Sequence, residues 1–338
     1  NAVITRIKIL SQLRTDEHQA PQDGKFQYAF EDSAFDVRVS IVPTTKGENA
    51  VLRLLAEKSR RFSLDDLGLA STDYERLSAA IKKPWGMILV TGPTGSGKTT
   101  TLYAILKVLN RREVNISTIE DPVEYNIDGI TQIQVNPRAE LTFASGLRSI
   151  VRQDPDIVMV GEIRDHETAE IAVNSAMTGH LVLSTLHTTD AATTLPRLLD
   201  MGIEPFLIAS TVNIAIGQRL LRKICPKCIM SYEMSVEEMQ KSLPPKLLEK
   251  LMRGDSSVRL YRGKGCTLCN KSGYSGRIGV YEMFEMSETV RTLIMENATA
   301  AAIAEQAIKE GMTTMFEDAI QKVLQGITTI DEIIRVIK

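Results

Sequence analysis

The chain has 338 residues, 43% hydrophobic and 24% charged, the balance of a folded protein of two or three domains rather than of a disordered one. Its 40 basic and 42 acidic side chains leave a net charge of −2, which excludes a global positive field that would draw the whole chain onto nucleic acid or an anionic bilayer and leaves only local patches to do so.

The chain opens on Asn1 with no basic n-region and no apolar h-region, so it is expected to be a piece of a longer protein that carries no export signal. Val3, Ile4, Ile7, Leu10 and Leu13 recur at helical spacing, and Pro21 with Asp23-Gly24 predicts a turn after that helix. In AFDVRVSIV, Phe35, Val37, Val39 and Ile41 alternate with Asp36, Arg38 and Ser40, which predicts a half-buried strand with Arg38 on its exposed face; residues 50–55, carrying Arg53, supply a partner strand. Residues 1–56 therefore read as a small, partial α/β domain, and the charged stretch 57–73 as a linker in which Ser63, Asp65 or Asp66 could cap a helix. Over 74–338 the pattern changes. Apolar runs at 87–91, 116–119, 157–160 and 181–186 alternate with helical patterns at 99–110, 143–152, 166–177 and 190–199, predicting a mostly parallel sheet covered on both faces. The apolar stretch 206–216 is broken by Ser210, Thr211 and Asn213 and is too short to cross a bilayer. Residues 222–276 are rich in Cys, Lys, Met and Gly, and 287–338 read as short amphipathic helices.

Three groups of residues carry chemistry. Gly92-Pro93-Thr94-Gly95-Ser96-Gly97-Lys98-Thr99, followed by Thr100, matches the phosphate-loop pattern between a strand and a helix. In such a loop, glycines let backbone amides wrap a phosphate, Lys98 neutralises the β- and γ-oxygens, and Thr99 offers its hydroxyl to Mg²⁺. Carboxylates at the C-terminal ends of neighbouring strands lie where phosphates dock: Glu120, Asp121 and Glu124 in ISTIEDPVEY, and Glu162 in DIVMVGEIRD. His187 ends another such run beside Thr188, Thr189 and Asp190, while His180 stands at its opposite end. Finally Cys225-x-x-Cys228 and Cys266-x-x-Cys269 have the spacing of two knuckles that clamp one Zn²⁺ through four thiolates, a closed and hence structural site; a helical excursion over 235–251 is expected between them. Paired thiols of this kind point to the cytoplasm, where they bind metal more often than they form disulfides.

Taken in order, GPTGSGKTT, the Asp box IEDPVEY, the Walker B segment LRSIVRQDPDIVMVGEIRD, the His box TGHLVLSTLHTTDA, the C-x-x-C pair and GRIGVYE resemble the secretion-superfamily ATPases, most closely the type II secretion ATPase / type IV pilus assembly ATPase family. The resemblance covers essentially the whole chain; PQDGKF…FDVRVSIVPTTKGENAVLRLL is similar to the later part of the family's second N-terminal domain, whose earlier part is missing together with the N-terminal domain that docks on the inner-membrane apparatus. It implies a RecA-like P-loop ATPase domain with ATP and Mg²⁺ as ligands. It further implies that Glu120 is general base for the attacking water and that Glu162 holds Mg²⁺ through water. His187 would be linked to the nucleotide, and Arg38 and Arg53 would reach the γ-phosphate on domain closure. The zinc insertion favours the assembly and secretion branch over pilus retraction. Family members are homohexamers, peripheral to the inner membrane on its cytoplasmic side, that act on a platform protein to add pilin or pseudopilin subunits to a fibre. The competing expectation is a P-loop ring translocase gripping nucleic acid through the zinc knuckle, against which stand the near-neutral charge and the 5% aromatic content. A phosphotransferase would need an acceptor pocket that no segment supplies, and a non-hydrolysing scaffold would not need Glu120, Glu162 and the two arginines together.

Overall fold

The computed structural model describes residues 2–30, 33–56, 63–235, 237 and 257–337. The chain divides into two compact units, Asn1–Ser63 and Leu64–Lys338.

In the first unit, helix α1 (Ala2–Leu10) packs on an antiparallel sheet of β1 (Gln22–Phe30), β2 (Ser33–Thr44) and β3 (Gly47–Ala56), with β2 in the middle. The period-two pattern of β2 sets its burial. Val37, Val39 and Ile41 are buried against Ile4, Ile7, Leu13 and Phe26, and the intervening residues face the other way. On that other face the register puts Arg38 directly opposite both Lys25 of β1 and Arg53 of β3. Asp23-Gly24, expected in a turn, instead lies inside β1, paired with Ser40 and Val39. Pairing to an apolar central strand overrides the local turn propensity of such a dipeptide.

The second unit is built on a seven-stranded sheet. Its strands are β4 (Gly86–Thr91), β5 (Ile116–Glu120), β6 (Thr131–Gln134), β7 (Ile157–Val160), β8 (Leu181–Leu186), β9 (Val212–Ile224) and β12 (Tyr274–Glu285), in the order β12-β9-β4-β8-β7-β5-β6. All neighbours are parallel except β12 on β9. The uniformly apolar strands divide two cores between the faces. Met87 and Leu89 of β4 belong to one core and Ile88 and Val90 to the other, as the alternation of side chains across a strand requires. One face carries α2 (Ser71–Ala80) and α3 (Lys98–Leu109); the other carries α4 (Phe143–Ile150), α5 (His166–Met177), α6 (Thr194–Asp200), α7 (Pro205–Thr211), α8 (Glu288–Met295) and α9 (Ala300–Lys309). A small sheet of β10 (Ile229–Ser235) and β11 (Ser257–Gly263) extends from the β9 edge. There α10 (Met315–Leu324) and α11 (Ile330–Val336) share a third core with Leu221, Leu260 and Val280.

Two expectations about the connections change. The described part of the 57–73 stretch is not a linker: Leu64, Leu67 and Asp73 are buried in the second unit, and α2 begins at Ser71. The hydrophobic pair three residues apart seats this segment on the sheet despite its charge. Neither Asp65 nor Asp66 caps a helix, since the residues preceding the 3-10 turn and α2 are Leu64 and Ala70. Residues 57–62, and the helical excursion expected over 235–251 apart from Ser235 and Glu237, lie outside the described residues. Among the described residues no helix is long and apolar enough to cross a membrane.

Candidate nucleotide and metal sites

The phosphate loop leaves β4 at Thr91 and enters α3 at Lys98. Its turn requires glycine at two points. Gly92 has φ +145°, and a Cβ there would sit 2.3 Å from the Gln218 carbonyl oxygen; Gly97 has φ +93°, and its Cβ would sit 2.8 Å from Gln218 Nε2. The loop therefore rests on β9, where Gln218 is buried and accepts a 2.7 Å hydrogen bond from the Thr101 hydroxyl of α3. Pro93, Thr94 and Gly95 form the exposed crown of the loop, whereas Ser96 and Lys98 are buried. The buried Ser96 hydroxyl has no hydrogen-bond partner in the protein, an orphan polar atom in the loop that suits a site for an anion. The Lys98 ammonium donates to Gly92 O at 2.8 Å and Pro93 O at 3.2 Å. Burial lowers its pKa and the negative charge of Glu162 acts in the opposite sense, so these two groups feel one another.

Glu162 follows β7 and is held on both sides: Oε2 lies 2.9 Å from His187 Nε2, and Oε1 lies 2.5 Å from Arg164 Nη2. His187 follows β8, and the next residue ties that loop to the phosphate loop's own strand, because the Thr188 N–H donates to Thr91 Oγ1 at 3.1 Å and Thr91 donates to Leu186 O at 3.1 Å. Thus β4, β7 and β8, adjacent in the sheet, bring Lys98, Glu162 and His187 to one C-terminal edge.

Glu120, at the end of β5, is placed differently. It is buried and accepts hydrogen bonds from Tyr103 of α3, from the Thr118 hydroxyl at 2.6 Å and from Gln132 Nε2 at 3.1 Å. Burial raises its pKa, partly offset by those donors. Tyr103 also accepts from the Glu124 N–H at 3.1 Å, so the Asp box is tied to the helix that follows the phosphate loop. Arg38 and Arg53 lie in the other compact unit. Sequence reading did not single out Tyr103, Gln132, Arg164 or Gln218 as supports of the site. The available signal was weak: each is an isolated polar residue in or beside an apolar run.

The four cysteines do come together. All Sγ atoms lie within 4.8 Å of one another, with Cys225–Cys266 and Cys228–Cys269 at 3.9 Å and Cys266–Cys269 at 3.6 Å. A tetrahedral tetrathiolate zinc site, with Zn–S near 2.3 Å, places its sulfurs about 3.8 Å apart, so the donor set fits that ion. The knuckles are locked together through backbone. Cys225 N–H donates to Gly273 O at 2.9 Å, and Gly263 and Gly273 touch so closely that a Cβ on Gly263 would lie 2.1 Å from the Gly273 oxygen.

A phosphate loop on a predominantly parallel sheet, with acidic residues at the ends of adjacent strands, defines a P-loop nucleotide-binding protein. Residues 1–335 match the family model described as Type II/IV secretion system protein, and the chain belongs to that family. It is 47% identical over 336 residues to the Type II secretion system ATPase E of Vibrio cholerae, covering 99% of this chain and 65% of that one. It is 45% identical over 337 residues to the Type IV pilus assembly ATPase PilB of Thermus thermophilus, covering 99% and 37%. The chain thus spans about two thirds or less of the length of these relatives. Among solved structures, the pilus retraction motor PilT with bound ADP superposes with a TM-score of 0.65 at 27% identity, covering 93% of this chain and 76% of that one. The ATPase DotB of Legionella pneumophila superposes at 0.66 with 23% identity over 93% and 76%, a likeness of fold.

Proposed function

We propose that the chain is the ATP-hydrolysing part of a mechanochemical motor that drives assembly of pilin or pseudopilin fibres, in type IV pilus biogenesis or type II secretion. The observation that carries this reading is the convergence of buried Lys98 with the partly buried Glu162 and the exposed His187 at one edge of the sheet, within a family whose relatives are named secretion and pilus assembly ATPases. In this reading the amides of 92–100 and Lys98 bind the triphosphate. Thr99 and, through water, Glu162 would hold Mg²⁺, which would supply positive charge to the phosphates. His187 orients Glu162 from one side and Arg164 from the other. Glu120 receives the proton of the attacking water, a role favoured by the burial that makes it a readier proton acceptor. Arg38 and Arg53 stabilise the γ-phosphate when the first unit closes on the second. The motor works as a homohexamer on the cytoplasmic face of the inner membrane against a platform protein, and a structural Zn²⁺ is held by Cys225, Cys228, Cys266 and Cys269.

The test separates binding from chemistry. Lys98→Ala is expected to abolish tight ATP binding, while Glu120→Gln keeps affinity near wild type and loses turnover by about a hundredfold or more, the order of a lost general base. Equilibrium binding of a fluorescent nucleotide and steady-state phosphate release measure the two quantities. Normal turnover in Glu120→Gln with loss in Glu162→Gln would move the base to Glu162.

A further inference from the structure

Tyr103 stands on α3 one helical turn beyond Thr99, so the helix that opens with the phosphate loop carries a phenol on the face of that threonine. Its buried neighbours Leu102, Ala104, Ile105 and Leu106 are all apolar, and its ring is set edge-on to Tyr125 with centroids 4.7 Å apart. A phenylalanine would meet those packing demands. The hydroxyl does something further.

A phenolic hydroxyl has one hydrogen to donate and two lone pairs with which to accept. The Tyr103 oxygen accepts from the Glu124 N–H at 3.1 Å and from Gln132 Nε2 at 3.3 Å, which occupies both lone pairs. Its hydrogen is thereby left one direction, onto Glu120 Oε2. The Gln132 amide is fixed in turn, because its Oε1 accepts from the Ile127 N–H at 2.7 Å. Residues of α3, β5 and β6 thus meet on one carboxylate, and that carboxylate's two oxygens are not equivalent. Oε1 accepts from Thr118 Oγ1 at 2.6 Å and from Gln132 Nε2 at 3.1 Å, so both its lone pairs are taken. Oε2 accepts from Tyr103 alone among the described residues and keeps one lone pair for a further proton.

We propose that Tyr103 is a positioning residue for hydrolysis, its hydroxyl holding the Glu120 carboxylate so that the remaining lone pair of Oε2 takes the proton of the attacking water. The assignment rests on Glu120 being the general base. As the water oxygen bonds to the γ-phosphorus, its proton passes to Oε2, the bond from phosphorus to the β–γ bridging oxygen breaks, and ADP leaves with that electron pair; Tyr103 keeps its own hydrogen throughout. The hydroxyl also acts on the charge of Glu120. Burial disfavours the ionised form and the negative charge of Glu124 adds to this, whereas Thr118, Tyr103 and Gln132 donate to the ionised form and oppose it. A general base works ionised, so turnover falls as pH drops through its pKa, and loss of one donor moves that acid limb to higher pH.

The experiment measures turnover against pH, and nucleotide affinity, for the wild-type chain, Tyr103→Phe, Glu120→Gln and the double variant. Tyr103→Phe is expected to lower kcat about tenfold at neutral pH, the order of one hydrogen bond to a charged group, with affinity near wild type and the acid limb displaced upward. In the Glu120→Gln background the same change is expected to cost nothing further, because the group it acts through is gone. Melting temperature checks that Tyr103→Phe folds; should it not, 3-fluorotyrosine at residue 103 decides, since its more acidic hydroxyl is a stronger donor on an unchanged ring and is expected to move the acid limb to lower pH. A wild-type rate and profile in folded Tyr103→Phe beside an inactive Glu120→Gln would overturn the role of Tyr103 and leave Glu120 as the base. So would a loss that multiplies with that of Glu120→Gln and leaves the profile in place, or an unmoved profile with 3-fluorotyrosine. Normal turnover in Glu120→Gln would overturn the base and, with it, the assignment of Tyr103.

Discussion

Asp73 is fully buried on α2, and neither of its carboxylate oxygens has a hydrogen-bond partner; the nearest cation is Arg76, at 3.8 Å. Burial and the negative charge of Asp318 push its pKa up to about 6, with Arg76 and Lys322 opposing. Because the folded value lies above the ordinary 3.8, the native state binds the proton more tightly than the unfolded chain. The stability this contributes is full below about pH 4 and is lost as pH rises through about 6. A shift of about two units corresponds to up to about 3 kcal/mol. Asp73→Asn is therefore expected to stabilise the protein by up to about that amount near pH 8 and by almost nothing near pH 4. Urea melts of both proteins across this range measure it, and a difference independent of pH would contradict it. Residues of this kind were not legible in the sequence, where Asp73 is one acid in a charged stretch. Lys98 and Glu162 were legible because motif spacing names them, but Tyr103 and Gln132 reach Glu120 only through folding of distant segments, and Arg164, although close in sequence to Glu162, belongs to no motif that pairs them.

At the level of elements, β4, β5, β7 and β8 could be read from their short apolar runs, and each is wholly buried although β5 and β8 also carry polar residues. β6, TQIQ, could not, because it is an edge strand with no fully buried residue. The start of β9 was hidden in 206–216, where α7 passes into the strand at Val212 with no glycine or proline to mark the junction. The α6 region begins later than its pattern suggested, because the Asp190 side chain takes the Thr193 N–H at 2.8 Å and forms a turn first. The cysteine pairs, by contrast, were legible as a set, since spacing alone fixes which sulfurs can share an ion. If they hold zinc, the purified protein contains about one equivalent, and any single Cys→Ser lowers the stability of residues 222–276 more than it lowers ATP turnover. Elemental analysis and hydrogen exchange test this, and a metal-free protein with unchanged exchange in that region would contradict it.

For the whole molecule, the proposed function turns on how hydrolysis would become movement. Register sets Lys25, Arg38 and Arg53 abreast on one face of the first unit's sheet. In the proposed mechanism a triphosphate held in the second unit would attract these cations, and loss of the γ-phosphate would weaken that attraction. If closure is what ATP drives, a non-hydrolysable analogue compacts the wild-type protein in small-angle scattering and compacts Arg38→Ala and Arg53→Ala much less. The most direct test is the turnover of those two variants at saturating ATP, beside their nucleotide affinity. Turnover slowed by about a hundredfold or more, with affinity changed far less, is the result expected of groups that reach the phosphate only in the closed state. Wild-type turnover in both variants would contradict it.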